Sequence, residues 1–186
     1  MSAIIVIATS AGGLGPLKQI VEALPSTCRA SVFIVQHIGM RQSILPDILA
    51  QRGNLPTAFA RQGEAIERGR IYVAPPDHHM RLRFGSIWLD RGVKVQFARP
   101  AADPLFISAA EAYGERVVGI VLSGANNDGA DGLRSITAHG GLGLVQDPDE
   151  AEYPAMPLAA VRRDHPEPPL TAIRLAERVA AHCAAR

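Results

Sequence analysis

Ala3-Ile4-Ile5-Val6-Ile7 is a β-branched run, apolar on both faces, that breaks at Thr9-Ser10-Ala11-Gly12-Gly13. Leu14, Leu17, Ile20, Val21 and Leu24 then recur at helical spacing up to Pro25. The next buried-looking strand is Ser31-Val32-Phe33-Ile34-Val35-Gln36, and Ile44, Leu45, Ile48 and Leu49 follow at helical spacing. Strands without polar alternation, separated by helices, predict a parallel sheet covered on both faces.

The middle of the chain changes character. Arg70-Ile71-Tyr72-Val73-Ala74 is stopped by Pro75-Pro76. Met80-Arg81-Leu82-Arg83-Phe84 and Ser86-Ile87-Trp88-Leu89-Asp90 flank Gly85 and alternate with period two, which predicts a small antiparallel hairpin with one wet face. Then the α/β rhythm returns: a helix over Asp103 to Tyr113, the strong strand Arg116 to Leu122, a helix to about His139, a strand near Gly143 to Gln146, a short helix from Pro154 to Arg163, and a helix from Leu170 onward. The fold class predicted is α/β, a three-layer doubly wound mainly parallel sheet with a small antiparallel hairpin. With no repeat and no Gly/Ser linker, residues 1–186 read as one domain.

Composition narrows the function. Lys and Arg number 19 against 18 Asp and Glu, a formal net charge of +1, without the basic excess of a duplex-binding module. No apolar run approaches the roughly 20 residues of a membrane helix. The start MSAIIVIATSAGG has no basic region before its apolar stretch, so it reads as a buried strand rather than a signal peptide. Cys28 and Cys183, with no CxxC, speak against a disulfide scaffold or a thiolate zinc site, and they read as inert thiols. Adjacent His78 and His79 point opposite ways on an extended segment and make a poor metal pair. The expectation is a cytoplasmic globular domain without metal or cofactor.

Ligands of open parallel sheets bind outside the carboxyl ends of the strands. There the chain places Ser10, His37 and Asp128, the three residue types of a serine hydrolase: a nucleophile, the base that takes its proton, and the carboxylate that orients the base. Gly12 and Gly13 would let N–H groups face an oxyanion at a helix N-terminus. Each residue also has a bland reading. Ser10 could cap the helix after it, His37 could be a hydrogen-bonded structural histidine, and Asp128 could cap the helix starting near Ala130. Thr9 to Gly13 could hold a phosphate, although it matches neither GxGxxG nor the P-loop. The order Ser–His–Asp and the context Ala-Thr-Ser-Ala-Gly differ from the α/β-hydrolase pattern.

Six blocks, in order, resemble the CheB-type protein-glutamate methylesterases: Ile7 to Gly13, Val35 to Ile38, Tyr72 to Met80, Arg99 to Phe106, Leu122 to Ala130, and Gln146-Asp147-Pro148 with Met156-Pro157. The resemblance implies a carboxylic ester hydrolase that removes methyl groups from glutamates on the cytoplasmic helices of chemoreceptors, releasing methanol. Some members also deamidate receptor glutamines. It implies Ser10 as nucleophile, His37 as general base and acid, Asp128 as the orienting carboxylate, and Ala11, Gly12, Gly13, His79 and Ala125 around the oxyanion or lining the site. Ala125 stands where many members have methionine, and Ala11 replaces a threonine. The family's usual N-terminal receiver domain does not precede this segment, so the chain reads either as an excised domain or as a stand-alone protein, the second favoured slightly by Met1, with a separate response-regulator or chemosensory protein as a candidate partner. Arg99 could attract an acidic receptor face, and Trp88 reads as core or edge packing. Two alternatives remain: a non-catalytic receptor-binding or regulatory module on the same fold, and a phosphate binder using Thr9 to Gly13.

Overall fold

A computed structural model of the protein describes residues 2–37, 43–163 and 167–184. In chain order the elements are β1 (Ile4–Thr9), α1 (Leu14–Ala23), β2 (Ser31–Gln36), α2 (Leu45–Ala50), β3 (Thr57–Phe59), β4 (Arg70–Val73), β5 (His79–Arg83), β6 (Ser86–Asp90), α3 (Ala102–Tyr113), β7 (Val117–Val121), α4 (Ala130–Ala138), β8 (Leu142–Val145), α5 (Ala155–Arg162) and α6 (Ala172–Ala184). Six strands form one sheet in the order β3-β4-β2-β1-β7-β8, and every neighbouring pair is parallel.

The strand pattern explains the layers. Alternate residues of a strand point to opposite faces. Ile4, Val6 and Ala8 of β1 enter one core with Phe33, Tyr72, Phe106, Leu133, Ile136 and Met156, from the side of α3, α4 and α5. Ile5 and Ile7 enter the other core with Leu17, Ile20, Leu49, Leu175 and Val179, from the side of α1, α2 and α6. Both faces of β1 are therefore dry, which is why no polar residue interrupts it. Each such Val, Ile or Leu contributes about 1.5–3 kcal/mol by leaving water. The doubly wound architecture read from the sequence is the one observed, and the winding reverses between β1 and β7.

β5 and β6 pair antiparallel through Gly85, with Arg81 opposite Trp88 and Leu82 opposite Ile87. Met80, Leu82 and Ile87 are buried, and the hairpin sits on α3, where the Ser108 hydroxyl accepts the Leu82 N–H at 3.0 Å. Trp88 is not core packing: it lies on the wet face, with the Arg83 guanidinium 4.1 Å from its ring centroid.

Two sequence expectations need correction. β3 was not anticipated, because three half-buried residues carry too little periodicity. Cys28 and Cys183 are not separate thiols: α6 packs against α1 and brings their Cα atoms to 4.6 Å, and the sulfurs are joined as a disulfide. Leu175, Val179 and Cys183, four residues apart on α6, form a buried stripe whose last member meets Cys28.

Candidate active site

Three adjacent strands end level with one another. The His37 N–H donates to Thr9 O (3.2 Å), the Leu122 N–H to Ala8 O (2.9 Å) and the Ser10 N–H to Ser123 O (3.0 Å). Ser10 and His37 thus follow β1 and β2 directly, and Ser123 lies just beyond β7, at the reversal of winding where open α/β sheets bind ligands.

Ser10 is not a helix cap. The residue before α1 is Gly13, with no side-chain cap. Ser10 instead begins a turn closed by the Gly13 N–H on Ser10 O (3.1 Å), with Gly12 at φ +72°, the positive φ that a type II turn demands at its third residue. A Cβ on Gly12 would also stand 2.7 Å from Glu152 Cβ and 2.8 Å from Ser123 Oγ, so neither backbone nor space admits a larger residue. The Gly13 N–H is spent inside the turn.

Ser123 lies in the Leu122 to Ala130 block, where the sequence assigns it no role, and it organises this corner. It is fully buried; its hydroxyl donates to Ala11 O (2.8 Å) and accepts the Tyr153 N–H (2.9 Å). Its own N–H donates to Gln146 Oε1 (2.9 Å). Gln36 Nε2 donates to Ser10 O (3.1 Å). Gly124 lies so close that a Cβ there would be 2.9 Å from Ser10 Cβ and inside the Met156 thioether. Polar residues at strand ends were the available signal for Gln36, Ser123 and Gln146; their partners lie too far along the chain to be read. Ala125, next to Gly124, is exposed.

His37 meets Asp128 directly. The ring N–H at Nε2 donates to Asp128 Oδ2 at 2.7 Å, with 11% of the histidine side chain exposed and none of the aspartate. Asp128 Oδ2 also accepts the Ala102 N–H, and Oδ1 accepts the N–H groups of Asp103 and Gly129, both at 3.0 Å. Four donors therefore fill the carboxylate's acceptor positions. Asp128 does not cap α4, the bland reading of its place in the sequence. It caps α3, whose own preceding residue, Ala101, offers no side-chain oxygen. The positive end of α3 favours the negative charge in turn.

Asp103 lies beside this carboxylate and is nearly fully buried. Burial, followed by repulsion from Asp128, pushes its carboxyl up to about 7.

His79 is buried, and its Nε2–H donates to Val93 O (3.0 Å) beneath the loop that follows β6. Arg99 does not reach outward: its Nε and Nη2 both donate to Asp77 Oδ1 (2.9 and 2.7 Å), and this guanidinium holds the Asp77 carboxyl below the usual carboxylate range. Among the described residues no group of three His, Cys, Asp or Glu could hold a metal, and no helix is long and apolar enough to cross a membrane.

Known proteins carry the same blocks. The family model described as CheB methylesterase matches residues 5–179. A Leptospira interrogans protein, provisionally designated a protein-glutamate methylesterase/protein-glutamine glutaminase, is 39% identical over 175 residues, 93% of this chain and 91% of its own length. A Pyrococcus horikoshii protein with that designation is 37% identical over 163 residues, which are 84% of this chain and 44% of the longer relative. The crystal structure of the Thermotoga maritima CheB methylesterase catalytic domain superposes with a TM-score of 0.91 at 27% identity, covering 97% of this chain and 98% of that one. The chain belongs to the CheB methylesterase family, and it is a carboxylic ester hydrolase.

Proposed function

We propose that the protein hydrolyses glutamate methyl esters on chemoreceptors through Ser10, His37 and Asp128. The observation that carries this reading is the 2.7 Å bond between His37 Nε2 and a fully buried, four-donor Asp128. With its proton on Nε2, the imidazole has its lone pair on Nδ1. Nδ1 takes the Ser10 proton as Oγ bonds to the ester carbonyl carbon, and Asp128 stabilises the imidazolium. The carbonyl π electrons move to oxygen. Because the Ser10 and Gly13 N–H groups are already donating within the fold, the oxyanion falls to those of Ala11 and Gly12. Collapse breaks the bond to the methoxy oxygen, which leaves as methanol with the proton from His37. Water, deprotonated by His37, then attacks the acyl-Ser10 ester, and the glutamate carboxylate is released.

The same sequence with an amide leaving as ammonia would deamidate glutamine, the second activity in the relatives' designation. The test is methanol release from methylated receptor cytoplasmic fragments, wild type beside Ser10→Ala. Release by wild type alone is the expected result; equal release by both would remove Ser10 as nucleophile, and none by either would favour the binding-module reading.

A further inference from the structure

Between β6 and α3 the chain runs Arg91-Gly92-Val93-Lys94-Val95-Gln96-Phe97-Ala98-Arg99, with three cations and no acid. Val95 and Ala98 exchange both main-chain hydrogen bonds (3.1 and 2.8 Å), so Gln96 and Phe97 form the tip of a tight turn. Both have positive φ, 47° and 61°, a region that a bulky residue enters only when its surroundings hold it there. Phe97 is 96% exposed and Val93 89% exposed. The fold thus fixes an aromatic ring in a costly conformation and leaves it entirely in water.

The loop is braced from below. Arg99 Nη1 donates to the carbonyls of Arg91 (3.1 Å) and Gly92 (2.8 Å) while its other nitrogens hold Asp77, and His79 holds Val93 O. The brace leads straight to the catalytic residues. After Arg99 come Pro100 and Ala101, and then Ala102, whose N–H lies on the carboxylate of Asp128. Beyond Ser10, Tyr153 presents a second half-exposed ring, packed where a Cβ on Gly12 would be. Asp77 pairs closely with Arg99 (2.7 Å) and at 3.9 Å with Arg91, whose Nε also donates to His78 Nε2 (3.2 Å) but whose side chain is 67% exposed; Lys94 pairs with no acid among the described residues.

We propose that the Val93–Phe97 turn docks the protein substrate of the Ser10 centre. Phe97 and Val93 seat apolar side chains of the segment that carries the esterified glutamate, and Arg91 and Lys94 pair with acidic residues in that segment. Rigid exposed aromatics are what interfaces use as anchors, because little freedom is lost on binding. The neighbouring cations fit a segment rich in glutamate, and each turnover adds one carboxylate to it. This inference rests on the functional reading above.

The experiment compares kcat/KM on a methylated receptor fragment with kcat/KM on a small soluble ester, for wild type, Phe97→Asn and Lys94→Glu. Asparagine tolerates the positive φ and removes only the ring. The ratio of protein to small-ester efficiency is expected to fall at least about tenfold in Phe97→Asn, as for an anchor side chain, and in Lys94→Glu to fall most at low salt. An unchanged ratio in an active enzyme would overturn the docking role alone. So would self-association of the wild type that Phe97→Asn abolishes, since a second copy would then be the occupant. A wild type inactive on both substrates would remove the functional reading and the docking role with it.

Discussion

Asp128 accepts the main-chain N–H of Asp103 at 3.0 Å, and Asp103 accepts the N–H of Gly132, in the first turn of α4, at 2.7 Å. Each acid stands at the start of one helix and caps the other. Neither α3 nor α4 has a side-chain cap of its own. The exchange places a charged carboxylate against His37 without leaving its remaining acceptor positions empty, a vacancy that costs about 1–3 kcal/mol in a dry site.

Asp128→Asn keeps one oxygen, for the N–H of Ala102 or of Asp103 but not for both, and can no longer stabilise the imidazolium or fix the Nε2 proton. Methanol release should fall on the order of 10³–10⁴-fold, and the melting temperature should fall too, because an amide NH2 then faces main-chain donors. Turnover within tenfold of wild type would remove Asp128 from the mechanism.

Asp103→Asn probes the other carboxyl. Folded, Asp103 keeps its proton up to about pH 7, raised first by burial and then by Asp128, with Asp131 adding to the repulsion. Unfolded, it loses that proton near the ordinary value of about 3.9. Between those values the folded chain binds more protons, so this group's contribution to stability declines as pH rises from about 4 to about 7. Melting temperatures measured across that range should fall less with pH in the variant than in wild type; parallel curves would show that Asp103 titrates normally.

Gly132→Ala sets two effects against each other. Helix propensity favours alanine by about 1 kcal/mol. The added Cβ, however, would stand 2.5 Å from Phe106 Cβ and 3.2 Å from Asp103 Cα, where α3 cannot yield without carrying the Asp103 N–H off Asp128. Overpacking of this kind costs about 1–3 kcal/mol. Net destabilisation and slower turnover are expected together, measured by thermal melting and methanol release. A stabilised, fully active variant would show that the two helices slide apart freely.

The Cys28–Cys183 link closes 155 residues of sequence. Such a loop makes the cross-link worth about 2–5 kcal/mol of stability through the unfolded chain. Under oxidising conditions the intact mass should lie two hydrogens below that of the reduced chain, and a thiol reductant or Cys183→Ser should lower the melting temperature. No response to reductant would mean that the thiols stay free.

The sheet was legible because its strands are dry on both faces: Ile4 to Ile7 and Val117 to Val121 contain no polar residue to mislead. The hairpin was legible from the alternation of Met80, Leu82 and Ile87 about Gly85. Ser10, His37 and Asp128 were readable as types at strand ends, whereas their pairing was not, since the bond from His37 to Asp128 crosses 91 positions. Asp103 read only as the start of a helix, because nothing local shows that α4 lies on top of it. Arg99 read as a surface charge because its partner, Asp77, is 22 residues away, in the turn between β4 and β5. Cys28 and Cys183 meet only because α6 returns to α1. Long-range pairings of polar groups were invisible throughout; patterns of apolar ones were not.

β1 lies between β2 and β7, with further strands outside both, so Ser10 and His37 hang from the middle of the ladder and not from its margins. Amides in such strands exchange with solvent only when most of the domain opens, whereas β3 and β8 can fray on their own. Partial opening at either edge therefore leaves Ser10 and His37 in register, and heat should extinguish activity only as the whole sheet comes apart.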